Sequence, residues 1–179
     1  MKLDTIDLYQ LHAVDPEVPL ADQVGTLRDL RNEGKIRYAG LSNVNLAQLR
    51  EAEQIVPIVS VQNRYNMVYR GDSEAVIEYC ERNGLAFLPW FPLGAGTDNI
   101  SDNTEAQVVA KKHGVRVPQI ALAWLLHRSK AMLPIPGTSS IRHLEENVAA
   151  AAIRLDDEDL VRLGLRQPPS AHHGEHDER

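Results

Sequence analysis

Along the chain, short runs rich in β-branched and aromatic residues alternate with longer runs whose apolar positions recur every three or four residues. Such alternation marks repeated strand-then-helix units, in which each strand reaches its parallel neighbour through a helix. Five strands are predicted, at residues 5–11, 36–41, 58–62, 85–90 and 132–135. Helices are predicted at 21–33, 46–53, 73–83, 104–113, 118–128, 141–152 and 155–165. Leu20, Val24, Leu27 and Leu30 form the buried stripe of the first helix, and Gly34 and Gly84 stand where C-terminal cap glycines belong. Thr104 and Ser140 are the predicted N-caps of their helices, and Pro118 fits the first turn of another. Residues 1–167 read as one domain. The polar, proline-containing stretch 168–179 reads as a disordered tail.

Composition narrows the function classes. A formal net charge of -6 leaves no basic stripe to collect phosphates, so neither nucleic acid nor an acidic membrane surface is expected as a partner. The first residues lack the apolar core of about 7–15 residues that a secretion signal needs. No apolar run reaches the roughly 20 residues of a membrane span, so a cytoplasmic protein without a membrane partner is expected. Cys80 is the only cysteine, which excludes a disulfide framework and reads as a small buried filler. His172, His173 and His176 could suggest a metal site, but a solvated tail offers no surrounding shell to fix ligand geometry.

In parallel strand-and-helix architectures the reactive groups lie at the C-terminal ends of the strands, where neighbouring loops converge. This picks out His12, Ser42 with Asn43, Gln62, Trp90 with the 92–96 loop, and the 137–140 stretch, after the first to fifth strands respectively. For most of these a structural role competes with a chemical one. His12 could be an ordinary strand-end histidine. Ser42, Asn43 and Gln62 could be turn residues or, through their paired donors and acceptors, ligands for a flat amide. Trp90 could fill the core or give a planar heterocycle a stacking platform. The segment Ile135-Pro136-Gly137-Thr138-Ser139-Ser140 leads from a strand into a helix N-terminus, where unpaired N–H groups and the helix dipole favour a phosphate.

At these residues the chain resembles the aldo-keto reductase superfamily, in its bacterial branch. The resemblance is carried by Asp4 to His12, Gly34 to Asn43, Val61 to Asn66, Pro92-Leu93-Gly94, Gln119 to Leu126, and Ile135 to Ser140 followed by Leu144-Glu145-Glu146-Asn147. It implies an α/β fold, a (β/α)8 TIM barrel, and reduction of aldehydes and ketones with NADPH, with NADH the less favoured coenzyme. His12 would orient the substrate carbonyl. Ser42, Asn43 and Gln62 would hold the nicotinamide carboxamide, with Trp90 stacked on the ring in a place usually taken by Tyr. Leu93 and Gly94 would border the pyrophosphate, Thr138 and His143 the 2′-phosphate, and Glu146 and Asn147 the adenine. Gly137 and His143 replace a Lys and an Arg often found there, and Arg142 is expected to compensate.

The chain has 179 residues, against roughly 250 in a complete eight-stranded barrel. By the resemblance, its five strands match the fourth to eighth, so it is a partial barrel. The strands carrying the family's catalytic Asp, Tyr and Lys are missing, and Met1 directly before a strand fits an internal start. The chain is therefore expected to be truncated and inactive by itself. It would act on a small carbonyl substrate only if the barrel were completed, and its open sheet edges would favour self-association. The alternative is a non-catalytic NAD(P)-binding or subunit module.

Overall fold

A computed structural model describes residues 3–94 and 99–166. The tail with His172, His173 and His176, and the Ala95-Gly96 end of the predicted loop, lie outside the described residues. Four parallel strands form one sheet in the order β1 (Ile6–Leu11), β2 (Ile36–Ser42), β3 (Ile58–Gln62) and β4 (Ala86–Phe87). Between them run α1 (Leu20–Asn32), α2 (Leu46–Glu53) and α3 (Ser73–Asn83), followed by α4 (Thr104–His113), α5 (Val117–Arg128), α6 (Ile141–Ala149) and α7 (Asp157–Arg162).

Period-two alternation divides the sheet into two faces. Leu11, Leu41, Val61 and Phe87 stand in register across the four strands and belong to the core under the helices, the last three fully buried. The residues one step earlier, Gln10, Gly40, Ser60 and Ala86, form a layer on the opposite face. There the Gln10 amide donates to Ser60 Oγ at 3.0 Å directly over Gly40. A Cβ on Gly40 would lie 2.3 Å from that oxygen and 2.8 Å from Gln10 Cγ, so this layer closes only over a residue without a side chain. Further down the same face, Leu8 and Tyr38 pair in register and both remain exposed.

The predicted fifth strand does not form. Met132 makes one isolated bridge to Phe87, with Phe87 N–H donating to Ala131 O and Leu133 N–H to Phe87 O, both at 2.8 Å. The next bond of a parallel ladder would come from the amide of residue 89. Pro89 has none, and Pro134 weakens the other side. The fourth strand is likewise shorter than predicted, although Leu88 and Trp90 still donate to Val61 O and Asn63 O.

Local rules set most helix ends. Ser140 caps α6 as predicted, accepting from His143 N–H. Asn103, not Thr104, caps α4 by accepting from Ala106 N–H at 2.9 Å, since an Asx side chain one position earlier reaches the free amide and Thr104 is already helical. The helix predicted at 141–152 is α-helical to Ala149 and ends in a 3-10 turn, Ala150–Ala152. The last helix is shorter than predicted and begins with an Asp156–Asp159 capping box.

Candidate active site

The strand ends meet at Asn43. Its backbone is left-handed, with φ 57°, a conformation that Asn tolerates better than most residues. From that turn its amide donates to the His12 carbonyl at 2.9 Å and to Ser42 Oγ at 3.1 Å, while its Oδ1 accepts from the Trp90 indole N–H at 3.0 Å. The Gln62 carbonyl accepts both the Ser42 hydroxyl, at 2.7 Å, and the Asn43 N–H, at 3.1 Å. His12, Ser42, Asn43, Gln62 and Trp90, from four successive strands, are thus held in one hydrogen-bonded group. Ser42 is buried beneath it, Gln62 and Trp90 are half-buried, and His12 and Asn43 face solvent.

A cavity of about 420 Å³ opens beside Trp90, bordered by Leu93, Gly94, Ile135 and Gly137. It leads, through the shared Leu93 and Gly137, to a smaller recess of about 90 Å³ among Arg116, Thr138, His143, Glu146 and Asn147. Trp90 and the 137–147 segment therefore border two adjoining cavities that share Leu93 and Gly137 as walls. Arg142 stands apart from the recess, 72% exposed, with its Nε 3.6 Å from Glu146. Asn147 Nδ2 is buried and has no hydrogen-bond partner, although a buried amide without one costs about 1–3 kcal/mol. A planar ring nitrogen entering this recess would give it an acceptor, so the residues present fit the adenine end of a dinucleotide.

Two site residues escaped the sequence reading. Phe91 has φ 50°, a strained conformation for an aromatic residue, and turns the chain from Trp90 into the Pro92-Leu93-Gly94 corner. Its carbonyl is fixed by Gly94 N–H at 2.9 Å and by the buried Asn66 amide at 3.1 Å. Arg116 reaches the recess from the turn between α4 and α5 and donates to Glu146 at 2.9 Å.

No tyrosine hydroxyl stands beside His12 among the described residues. Tyr9 lies three positions earlier on β1, roughly 10 Å along a strand, and Tyr38 is level with Leu8, roughly 13 Å below. Tyr65 and Tyr79 donate to Glu74 and Glu53, each at 2.7 Å. Burial, with Glu74 adding to it, pushes the Tyr65 phenol well above its usual range, opposite to what a proton donor requires. Tyr69 lies under the Arg64 guanidinium at 4.2 Å. Cys80 is fully buried, and desolvation pushes its thiol up to about 12, leaving it an inert filler. The described residues contain no cluster that could hold a metal ion, and none of their helices is long and apolar enough to cross a membrane.

This arrangement, a parallel sheet with a strand-end groove running to a helix N-terminus, coincides with a family match. The sequence profile of the Aldo/keto reductase family matches residues 1–164. The chain belongs to this family. It is 49% identical over 158 residues to an uncharacterized oxidoreductase of Schizosaccharomyces pombe, covering 88% of this chain and 51% of that protein. Pyridoxine 4-dehydrogenase of Escherichia coli is 39% identical over 167 residues, covering 90% and 57%. The crystal structure of an aldo-keto reductase from Klebsiella pneumoniae in complex with NADPH superposes with a TM-score of 0.81 at 30% identity, covering 93% of this chain and 61% of that one. The α/β fold, a parallel sheet with its helices, matches that of these aldo-keto reductases, and the chain spans about half the length of the curated relatives it matches.

Proposed function

We propose that this chain carries the coenzyme half of an NADPH-dependent aldehyde or ketone reductase and does not turn over carbonyls by itself. Its four strands, with the 132–135 segment, correspond to the fourth to eighth of the family barrel. Ser42, Asn43 and Gln62 hold the nicotinamide carboxamide, Trp90 stacks on the ring, and Leu93 and Gly94 border the pyrophosphate. Thr138 and His143 face the 2′-phosphate, and Glu146 and Asn147 the adenine. His12 orients the substrate carbonyl. When bound, NADPH supplies the hydride for the carbonyl carbon.

The two adjoining cavities, one against Trp90 and the next against the partnerless Asn147 amide, carry this reading. The complexes of the Klebsiella relative with NADPH and NADP support the choice of coenzyme. Loss of turnover follows from proton supply. A positioned general acid contributes about 10²–10⁴-fold, and none of the described tyrosines is within reach of His12.

The test is a titration of the 179-residue chain with NADPH, followed by tryptophan fluorescence, alongside an assay of NADPH oxidation with an aromatic aldehyde. Saturable binding without turnover is the expected result. Turnover comparable to that of the longer relatives would overturn the inactivity, and absence of binding would overturn the coenzyme role.

A further inference from the structure

We infer that Arg116 is the charge that selects a 2′-phosphorylated adenosine in the groove's far recess, an assignment that rests on the dinucleotide reading above.

Arg116 is unsuited to its place in the helix. Arg116 is the N-cap of α5, a position that favours Ser, Thr, Asn or Asp because the cap side chain must accept a hydrogen bond. A guanidinium has only donors, and Arg116 makes no side-chain cap. The helix start is served from the other direction, where the Gln119 amide oxygen accepts the Arg116 N–H at 3.1 Å. Helix formation therefore does not explain an arginine here. Its side chain instead turns to the recess and lines it together with Thr138, His143 and Asn147.

A phosphate held in the recess would need a cation beside it. Gly137 and Thr138 bring no charge, and an imidazole carries no permanent one. Arg142 is not among its lining residues and is 72% exposed, its Nε 3.6 Å from Glu146. Arg116 alone among the described lining residues is permanently positive. Its Nη1 is held 2.9 Å from Glu146 Oε2, while Gln119 Nε2 donates to the Glu146 backbone carbonyl at 3.1 Å. Two contacts thus anchor the end of α5 to α6 and aim the arginine. With 52% of its side chain exposed, the guanidinium keeps donors available beyond the one used by Glu146, enough for the forked recognition of a phosphate. The N-terminus of α6, where Thr138 Oγ1 accepts from Ser140 N–H, adds the favourable end of a helix dipole.

The probes are 2′,5′-ADP and 5′-AMP, titrated by calorimetry into the 179-residue chain and its R116A, R116K and R142A variants, with thermal unfolding of each as a fold control. The wild type is expected to bind 2′,5′-ADP at least about tenfold more tightly than 5′-AMP. R116A should bring this ratio to within about threefold while 5′-AMP affinity stays close to wild type. R116K should retain part of the preference through its point charge, and R142A nearly all of it. A wild-type ratio near one, or an R116A ratio equal to wild type, overturns the role of Arg116 and leaves the groove reading in place. Failure of the wild type to bind either nucleotide overturns the groove reading and this assignment with it.

Discussion

The indole N–H of Trp90 donates to Asn43 Oδ1 across 3.0 Å, tying the end of β4 to the end of β2. The indole is thereby held at the mouth of the groove. Trp124, the second tryptophan, is fully buried, stacked on Tyr65 and bonded to the Leu163 carbonyl. Only Trp90 is therefore placed to sense a ligand. NADP⁺, which lacks the reduced ring's absorption at the tryptophan emission, should quench part of the fluorescence, and Trp90→Phe should abolish the quench while leaving the Trp124 emission. Loss of the bond to Asn43 should weaken NADPH about two- to tenfold, measured by calorimetry. A full quench retained in the Trp90→Phe chain would show that the coenzyme does not lie against this ring.

Gly40 permits the close contact of Gln10 with Ser60, so its importance is steric. Gly40→Ala should destabilise the chain by about 1–3 kcal/mol in urea unfolding, as overpacking does. Adding Ser60→Ala removes the oxygen nearest the new methyl and should restore part of the loss. Additive effects in the double variant would disprove the coupling.

These two sites show what was legible in the sequence. Ile58–Gln62, Leu46–Glu53 and Ser73–Asn83 were readable to the residue, because period, flanking Pro57 and the αL residue Gly84 all agree. The 132–135 strand was misread because its composition suits a strand, whereas its pairing depends on an amide that Pro89, more than forty positions away, cannot supply. Candidate residues at the strand ends followed from topology alone, yet their mutual geometry depends on the left-handed turn at Asn43. Arg116 was invisible for another reason: its partner Glu146 is thirty residues further along the chain. An arginine at a helix N-cap was the available signal. Gly40 gave none, since its contacts come from the two neighbouring strands.

Asp159 is 1% exposed and bonds both Lys112, at 2.8 Å, and His113, at 2.7 Å, joining α7 to α4. Burial opposes its ionisation, but Lys112 and His113 together outweigh that and hold the carboxyl below its usual range. Asp156 is lowered in the same direction, chiefly by Lys112. A carboxylate whose folded value is depressed stabilises the fold fully above its unfolded value, near 3.9. This stabilisation is lost as pH falls through the lower folded value. Urea midpoints should accordingly be flat from pH 7 to about pH 5 and drop below about pH 4. Asp159→Asn should lower the midpoint at neutral pH and flatten the acid drop. An unchanged acid slope in that variant would remove Asp159 from the explanation.

The face of the sheet opposite the helices leaves Leu8 and Tyr38 exposed, 39% and 48%, and Leu133 and Ile135 more than a third exposed beyond β4. β1 is at one edge of the sheet, so the outward backbone groups of this six-residue strand meet no neighbour among the described residues. An apolar face and an unpaired edge together favour pairing with another polypeptide, and in a solution of this chain alone the available one is a second copy. Sedimentation velocity should therefore show dimers or larger species whose share rises with concentration. Leu8→Lys and Tyr38→Lys place charges on that face without touching the core-facing layer of Leu11, Leu41, Val61 and Phe87. Both should shift the distribution toward monomer while the far-ultraviolet spectrum is preserved. A wild-type chain that sediments as a monomer across the whole concentration range would refute the self-association.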